Sequence, residues 1–259
     1  MDLGIAGRRA IVCASSRGLG RACAHALARE GVHVTLNARG AEALALTARE
    51  VREAHGVEVA TVAGDLTLEA TRDALLEACP APDILVNNNG GPPPGRFQDW
   101  DREAWQAALD ANLLAPVLMI RAVVDGMCER GFGRIVNITS AMVKTPLLPM
   151  GLSTGARAGL TSVSKALSRQ VAAHNVTVNN LLPERIDTDR QRFMAEMRAK
   201  AGGVSLEQAY EEMKASIAAG RLGTPEEFGD ACAYLCSAQA GFLSGQNLQL
   251  DGGSYAGLF

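Results

Sequence analysis

The sequence predicts an α/β fold, a doubly wound seven-stranded parallel sheet with helices on both faces. Short β-branched runs alternate along the chain with longer segments that carry apolar residues at three- and four-residue spacing. A glycine-containing turn follows the first run and opens the first helical segment. Repeated strand–helix–strand order requires crossover connections, and right-handed crossovers build a parallel sheet covered on both sides.

The individual elements follow from these patterns. Seven β-branched runs are predicted strands, at 9–14, 32–37, 57–64, 83–88, 133–140, 176–183 and 248–253. Helical spacing is clearest at 19–29, 41–54, 105–128, 159–173 and 226–235. Thr224 followed by Pro225 predicts the start of the last of these helices, because threonine caps helices and proline is favoured at the first helical position.

No shift in composition or long linker divides the chain, so residues 1–259 are predicted to form one domain, a size common for single α/β domains. One irregular insertion, at about 187–223, is rich in Arg, Met and Glu and is predicted to form two short, mobile helices. Ligands of such sheets bind beyond the carboxyl ends of the strands. An insertion rooted there is predicted to act as a lid.

Composition argues against several classes of protein. The net charge of -3, with interspersed signs and no basic stripe, argues against a nucleic-acid partner. No membrane-length or signal-like apolar run is evident, so we expect a cytoplasmic protein that does not associate with membranes. The six cysteines lack a Cys-x-x-Cys pair and are predicted to be reduced core thiols. The four histidines show no metal-ligand spacing, and we predict no metal.

The turn from Cys13 to Gly20 is the first candidate binding element. Gly18 and Gly20 permit tight turning and a close approach of a ligand, and free amides at a helix N-terminus favour an anionic pyrophosphate. The alternative is an ordinary strand-to-helix turn, since a turn with so few glycines is a weak signal by itself.

The end of the second predicted strand indicates which dinucleotide would bind. Proteins that prefer NAD place an acidic residue there for the ribose hydroxyls. Here the strand ends at Arg39, and Arg17 in the preceding turn is a second cation. Two guanidinium groups suit a 2′-phosphate, so NADP(H) is predicted and NAD(H) is the second choice. The alternative is that Arg39 is a solvated loop residue.

The segment around Ser140 carries a resemblance to a known family. In short-chain dehydrogenases/reductases a serine after the fifth strand is followed thirteen positions later by Tyr-x-x-x-Lys. Here Ser140 is followed at that distance by Ser153-Thr-Gly-Ala-Arg157. The chain resembles an atypical branch of this family, similar to 3-oxoacyl-ACP reductase-like members. The resemblance spans Gly7 to Gly253 and implies a Rossmann-type fold, hydride transfer between NADP(H) and a small carbonyl or alcohol substrate, and a homotetramer.

Further motifs match by position. The first turn resembles the family's Thr-Gly-x-x-x-Gly-x-Gly, with Ala14 at the first glycine, where we expect φ below zero. Residues 65–66 resemble an adenine-contacting pair, residues 87–90 resemble Asn-Asn-Ala-Gly, and residues 183–188 resemble a Pro-Gly-x-Ile-x-Thr segment that holds the nicotinamide carboxamide. The predicted cofactor-binding residues are Ser15, Ser16, Arg17, Gly18, Leu19, Gly20, Arg39, Asp65, Leu66, Asn87, Asn89, Gly90, Arg157, Pro183, Ile186 and Thr188. Asn87 has an alternative role as a turn former.

Four residues are predicted to be catalytic: Asn112, Ser140, Ser153 and Arg157. The family's asparagine at position 112 opens a helix kink and binds a water; the alternative is a capping or solvent-facing residue. Ser153 and Arg157 share one helix face, so Arg157 can reach ribose hydroxyls, although it cannot relay a proton. An aliphatic alcohol is a far weaker acid than a phenol with a pKa of about 10, so water is predicted to supply the proton.

Two other hypotheses remain open. The chain could bind the nucleotide without turnover, as a sensor or assembly subunit, or Tyr210 in the lid or Tyr255 in the tail could supply the missing phenol.

A cationic cluster, comprising Lys144, Arg185, Arg190 and Arg192, could hold a carboxylate or phosphate on the substrate. The alternative for that cluster is a charged lid surface.

Overall fold

The computed structural model describes residues 2–258 and contains one seven-stranded sheet. Its strand order is β3-β2-β1-β4-β5-β6-β7, and all neighbouring pairs are parallel. The strands are β1 (Arg9–Val12), β2 (His33–Ala38), β3 (Val59–Ala63), β4 (Ile84–Asn87), β5 (Gly133–Ile138), β6 (Val176–Pro183) and β7 (Asn247–Leu250). The predicted Rossmann-type doubly wound sheet is confirmed.

Helices cover both faces of this sheet. They are α1 (Gly18–Arg29), α2 (Ala41–His55), α3 (Glu69–Ala78), α4 (Arg102–Leu109), α5 (Ala115–Glu129), α6 (Gly151–Val171), α7 (Asp189–Gly202), α8 (Leu206–Ala215) and α9 (Pro225–Cys236). Helix α3 was not among the segments with clear helical spacing. The predicted helix at 105–128 is interrupted by a π-helical turn at Asp110–Leu114, which separates α4 from α5.

The core consists of two apolar layers, one on each face of the sheet. Along β1, Ala10 and Val12 point into the layer shared with α1, α2 and α9, while Ile11 points into the layer shared with α3, α5 and α6. This alternation follows from the two-residue period of a strand. Because both faces are covered, the central strands read as continuous apolar runs, which is why the sequence marked them clearly.

The strand order reverses between β1 and β4, and their carboxyl ends lie side by side at the same edge of the sheet. Val12 pairs with Leu36 of β2 on one side and with Val86 of β4 on the other. Connections leave in opposite directions at such a switch point and open a crevice, which is where ligands of doubly wound sheets bind. The chain segments after β1, β4, β5 and β6 therefore border one site.

The insertion after β6 contains two helices, α7 and α8, as predicted. It ends where Gly223 forms an isolated parallel bridge with Ile186. The next helix, α9, begins as predicted: the Thr224 side chain accepts a hydrogen bond from the Glu227 amide, and the Glu227 carboxylate accepts one from the Thr224 amide.

The helical stretch Arg102–Glu129 is long and apolar enough to cross a membrane by length and composition alone. That criterion is weak, because core helices of soluble proteins also meet it, and α5 in this stretch packs its apolar side chains on the sheet.

The cysteines are all free thiols; five are buried, and Cys128 is half-buried. No group of three or more metal-ligating side chains occurs within residues 2–258.

Candidate functional site

The turn after β1 has a backbone shape that the sequence did not predict. Ala14 has φ of +46°, so the expectation of a negative φ was wrong. The chain must reverse from β1 into α1 within a few residues, and the amide of Asn88 holds the reversed Ala14 carbonyl at 3.3 Å. A Cβ at Gly20 would collide with that same carbonyl oxygen. The glycine at position 20 is therefore required by a close backbone approach.

The first serine of this turn holds the turn in place. Ser15 is fully buried, and both its amide and its hydroxyl donate to the Asn37 carbonyl in β2, at 2.8 and 3.2 Å. The Ser16 carbonyl accepts from the Thr47 hydroxyl at 3.0 Å. The two serines thus fix the turn against β2 and α2, with their polar backbone at the start of α1.

No side chain caps the N-terminus of α1. The first amides of a helix lack intrahelical partners and carry a partial positive charge, so this end suits an anion. Arg17 and Arg39 are exposed beside it. Arg17 lies 3.9 Å from Asp189 at the start of α7, and Arg39 is close enough to Asp65 to lower the pKa of that carboxyl, although the Thr67 amide is the larger cause. The turn and its two cations fit a phosphorylated dinucleotide.

The remaining predicted cofactor positions lie around the same edge. Leu66 is buried in the core, whereas the Asp65 carboxylate accepts from the amide and hydroxyl of Thr67. Pro183 ends β6 and Ile186 is buried. The Thr188 methyl would lie 3.8 Å from a Cβ at Gly18, so the segment after β6 meets the first turn.

The segment after β6 departs from the family pattern in its backbone. The family glycine is Glu184 here, and the left-handed conformation occurs one residue later, at Arg185, with φ of +55°. Arg185 donates to the Met213 carbonyl at 2.8 Å, which ties the turn to α8. Burial raises the pKa of Glu184, opposed by the neighbouring Arg185.

Asn87 belongs to a buried ladder of amide side chains that the sequence reasoning missed. Its amide donates to the Asn137 carboxamide oxygen at 2.9 Å; Asn137 donates to Asn180 at 3.1 Å, and Asn180 donates to Asn247 at 2.8 Å. These residues occupy paired positions on β4, β5, β6 and β7. Asn87 is therefore neither a turn former nor free to donate this amide hydrogen to a ligand. The sequence signal that could have revealed the ladder is one asparagine at a corresponding position in each of these four strands.

Asn112 occupies the centre of the π-helical turn, where the resemblance implied a kink. It is 3% exposed, and its amide lies 3.4 Å from the Ala108 carbonyl and 3.5 Å from the Gly90 carbonyl. Its carboxamide oxygen is buried and has no partner within residues 2–258. The Asn89 amide donates to the Ala111 carbonyl at 3.0 Å, so the loop after β4 rests on the wide turn. An unpaired buried acceptor of this kind suits a water.

Ser140 and Ser153 each accept a hydrogen bond from the protein. Ser140 follows β5 and accepts from the Met142 amide at 3.2 Å. Ser153, on α6 and 6% exposed, accepts from Nε of Arg157 at 3.2 Å. A hydroxyl group has one hydrogen to donate in addition to its acceptor lone pairs. Both serines therefore keep their donor hydrogen for a ligand oxygen.

The Arg157 guanidinium joins the ends of two strands. Nη1 donates to the Ile138 carbonyl at 2.6 Å, and Nη2 donates to the Asn89 carbonyl at 3.0 Å. With the bond to Ser153, three of the five N–H groups of an arginine are used and two remain. Burial, and after it the charge of Arg190, lowers the pKa of Arg157 to about 10. The group stays cationic at neutral pH.

The two tyrosines considered as proton donors, Tyr210 and Tyr255, have different surroundings. Tyr210, on α8, is surrounded by the charges of Asp187, Arg192 and Glu196, and burial raises its pKa. The ring centroid of Tyr255 lies 5.3 Å from the Lys144 ammonium, in the loop after Ser140.

The fold and the site define a class, a doubly wound α/β protein with an anion-binding turn at its switch point and two serines and an arginine beside it. Residues 13–255 match the family model described as Enoyl-(Acyl carrier protein) reductase. The chain belongs to the short-chain dehydrogenase/reductase family, as its motifs predicted.

Individual relatives cover nearly the whole chain. NADPH-dependent reductase BacG of Bacillus subtilis is 31% identical over 252 residues, 95% of this chain and 97% of that protein. A 3-oxoacyl-[acyl-carrier-protein] reductase FabG of Vibrio harveyi is 30% identical over 98% of this chain and 99% of its own. The crystal structure of L-sorbose reductase from Gluconobacter frateurii, complexed with NADPH and L-sorbose, superimposes with a TM-score of 0.94 and 32% identity over 100% of both chains.

Proposed function

We propose that this chain is an NADP(H)-dependent oxidoreductase that interconverts a small carbonyl compound and the corresponding alcohol. The observation that carries the proposal is the turn after β1, where Gly20 lies against the Ala14 carbonyl and the uncapped start of α1 is flanked by Arg17 and Arg39. Relatives named as NADPH-dependent reductases and ketoacyl reductases support the same cofactor and reaction.

When bound, NADPH supplies the hydride that adds to the carbonyl carbon. The hydroxyls of Ser140 and Ser153 donate hydrogen bonds to the substrate oxygen, which receives the electron pair of the C=O bond. The fixed charge of Arg157 stabilises the negative charge that develops there. Neither hydroxyl is acidic enough to give up its proton, so a water molecule donates the proton that completes the alcohol.

Asn112 and Arg157 hold the surroundings of that reaction. The unpaired carboxamide oxygen of Asn112 accepts a hydrogen bond from a water that connects the site to solvent. The two remaining N–H groups of Arg157 would hold the ribose hydroxyls of the cofactor, from the position that lysine occupies in most of the family. Arg157 thus positions the cofactor while its other donors hold the loops after β4 and β5.

The protein is further proposed to be a cytoplasmic homotetramer. An exposed apolar patch supports self-association: Phe242 is 103% exposed and Leu248, on the edge strand β7, is 40% exposed. Apolar side chains beside an open sheet edge favour burial against another subunit. Light scattering tests the mass in solution, and Phe242→Asp should reduce it.

Cofactor selection tests the proposal directly. Arg39→Ala should weaken NADPH binding at least tenfold, because a charge-assisted hydrogen bond contributes about 1.5–3 kcal/mol, and it should leave NADH binding within about twofold. Arg49→Ala, which removes an exposed arginine of α2, is the matched control. The measurement is fluorescence titration with each coenzyme, followed by oxidation of NADPH with a panel of ketones and aldehydes. Tight NADPH binding without reduction of any carbonyl would contradict the catalytic part and leave a binding protein.

A further inference from the structure

The candidate active site contains a positive charge that the protein does not balance. Arg157 is 7% exposed, and no carboxylate within residues 2–258 lies within 4.0 Å of it. Burying a cation without a counter-charge is unfavourable, which is why its pKa is lowered. A second cation, Arg190, also lowers the pKa of Arg157, which increases the imbalance.

Arg190 approaches the same loop from the lid side. Its Nη2 donates to the Pro92 carbonyl at 3.1 Å, while Arg157 donates to the carbonyl of Asn89, three residues earlier. Between them, a Cβ at Gly91 would lie 3.6 Å from the Ser153 hydroxyl and 3.7 Å from Nη2 of Arg157. The two guanidinium groups therefore contact the same loop, and Gly91 of that loop lies close to the candidate catalytic serine.

Three acidic side chains near the lid root are engaged with other groups. Glu184 pairs with Arg185 at 3.7 Å, and Glu196 pairs with Arg192 at 3.2 Å. Asp189 lies beside Arg17 on the coenzyme side. Of the three arginines at the lid root, Arg190 is the one for which residues 2–258 provide no carboxylate within 4.0 Å.

Arg190 is also available to a ligand. It reaches solvent, and one of its five N–H groups is used by Pro92, so four remain. Its guanidinium lies 5.5 Å from the Phe193 ring centroid on the next turn of α7, and the phenyl ring restricts its motion. The coenzyme phosphates do not account for this cation, because their predicted ligands follow β1 and β2, whereas Arg190 contacts the loop after β4.

We propose that the substrate of this site carries an oxyanion, a carboxylate or a phosphate, and that Arg190 is the residue that selects it. The inference rests on the proposed carbonyl–alcohol chemistry and specifies its substrate class. A planar guanidinium binds such a group through two parallel hydrogen bonds. An anion at this place also reduces the repulsion between Arg190 and Arg157 and lowers the net positive charge of the site.

Matched pairs of substrates test the proposal. Straight-chain oxo acids with the carbonyl at different distances from the carboxylate are compared with their methyl esters and with oxo phosphate monoesters. The wild-type enzyme should prefer at least one anion over its neutral partner by tenfold or more in kcat/KM. Arg190→Ala should reduce that preference to about one, because kcat/KM for the acids should fall at least tenfold more than kcat/KM for the esters, and Arg190→Lys should restore part of it.

Arg192→Ala is the control. Arg192 lies two residues from Arg190, carries the same charge, is exposed and is already paired with Glu196. A second measurement does not depend on turnover: calorimetric titration of the protein with the same acids, in which Arg190→Ala should lose the binding heat and Arg192→Ala should keep it. Anion binding without reduction of any compound would sustain this inference and contradict the proposed reaction. Equal kcat/KM for acids and esters, equal losses in the two variants, or no anion binding at all would overturn it.

Discussion

Arg157 replaces an ionisable lysine with a cation that stays charged across the physiological pH range. Burial and the charge of Arg190 lower its pKa only to about 10. Its guanidinium donates hydrogen bonds to Ser153, Ile138 and Asn89. An arginine here can bind and polarise, but it cannot pass a proton. The hydroxyl of the neighbouring Ser153 does not ionise near neutral pH either.

The dependence of rate on pH follows from these two residues. We expect kcat to show no inflection between about pH 6 and 9, since neither member of the Ser153–Arg157 pair changes its charge in that range. Ser153→Ala should keep the flat profile and lower kcat about tenfold, the effect of one hydrogen bond of about 1.4 kcal/mol. The double substitution Ser153→Tyr with Arg157→Lys, which restores a phenol and an amine, should introduce an inflection. A wild-type inflection near neutrality would show that another group donates the proton.

Ala14 is strained by its own backbone. A left-handed φ of +46° costs an L-residue about 1–2 kcal/mol relative to glycine. A glycine at this position would avoid that cost, but its greater freedom in the unfolded chain would offset part of the gain in stability. Ala14→Gly should therefore raise the free energy of unfolding by about 0.5–1 kcal/mol, measured by urea denaturation. Ala24→Gly, in the middle of α1, is the opposing control and should lower it by about 1 kcal/mol. Destabilisation by Ala14→Gly would mean that the Ala14 methyl group contributes packing that outweighs the strain.

At the scale of the elements, the asparagine ladder links four neighbouring strands below the candidate site. Asn137 is its centre: it accepts from Asn87 and donates to Asn180 and to the Ser164 hydroxyl of α6. Asn87, Asn137 and Asn180 are buried, and each donates to the next asparagine of the ladder, so the strands must keep one register for the ladder to form. Since Asn87 and Ser164 are in elements that carry site residues, the ladder also positions the loop after β4 and helix α6.

Removing the centre of the ladder should destabilise the sheet. Asn137→Ala removes the acceptor of the Asn87 amide and the donor to the Asn180 carboxamide oxygen. We expect a loss of about 2–4 kcal/mol in the free energy of unfolding, measured by urea denaturation. Asn247→Ala, at the edge strand and only half-buried, is the control, because water can replace its bond; it should cost less than about 1 kcal/mol. Equal effects of the two substitutions would contradict a cooperative ladder.

Helix α4–α5 shows how a local irregularity serves the site. A regular helix would pair every backbone amide within the helix, whereas the π-helical turn at Asp110–Leu114 frees the Ala111 carbonyl for the Asn89 side chain. The asparagine in mid-helix was the sequence signal for this irregularity. Its width and its contact with Gly90 depend on the loop after β4 and could not be obtained from the helix sequence.

At the scale of the whole molecule, a histidine pair couples folding to pH. His25 of α1 and His55 at the end of α2 are joined by a 3.2 Å contact between ring nitrogens. The pKa of His25 is lowered, first by burial, then by the charges of Arg21 and His55. Burial, followed by the charge of Arg29, lowers the pKa of His55. The folded state therefore takes up protons at lower pH than the unfolded state.

Stability should fall on acidification as a result. As the pH drops below about 6.5, the unfolded chain binds protons that the folded chain does not, so the free energy of unfolding decreases until the lowered folded-state pKa values are passed. Thermal unfolding from pH 7.5 to 5 should show this decrease, and His25→Gln should make it shallower. His174→Gln is the control for loss of a histidine elsewhere. An unchanged slope in His25→Gln would remove the pair as the cause.

Much of the fold was predictable because its signals are local. Each of the seven strands begins and ends within three residues of its predicted limits. Thr224 caps α9 as expected. Helix α3 was missed, since its short apolar face carries only two buried residues, Thr71 and Leu75. The candidate site residues were predicted from motif position and stay predictions, whereas the contacts of their side chains came only from the structure.

By itself the sequence determined the alternation of strands and helices, the family and the identity of the residues at the carboxyl edge of the sheet, because periodicity and motif spacing are recorded within single segments. Only the tertiary structure decided the left-handed backbone at Ala14, the burial of Asn87 in a ladder and the three acceptors of Arg157. Each of these depends on groups that are distant in the chain and meet only when the strands pair. The unbalanced charge around Arg157 and Arg190 is of the same kind, since a sequence records charges but not the distances that separate them.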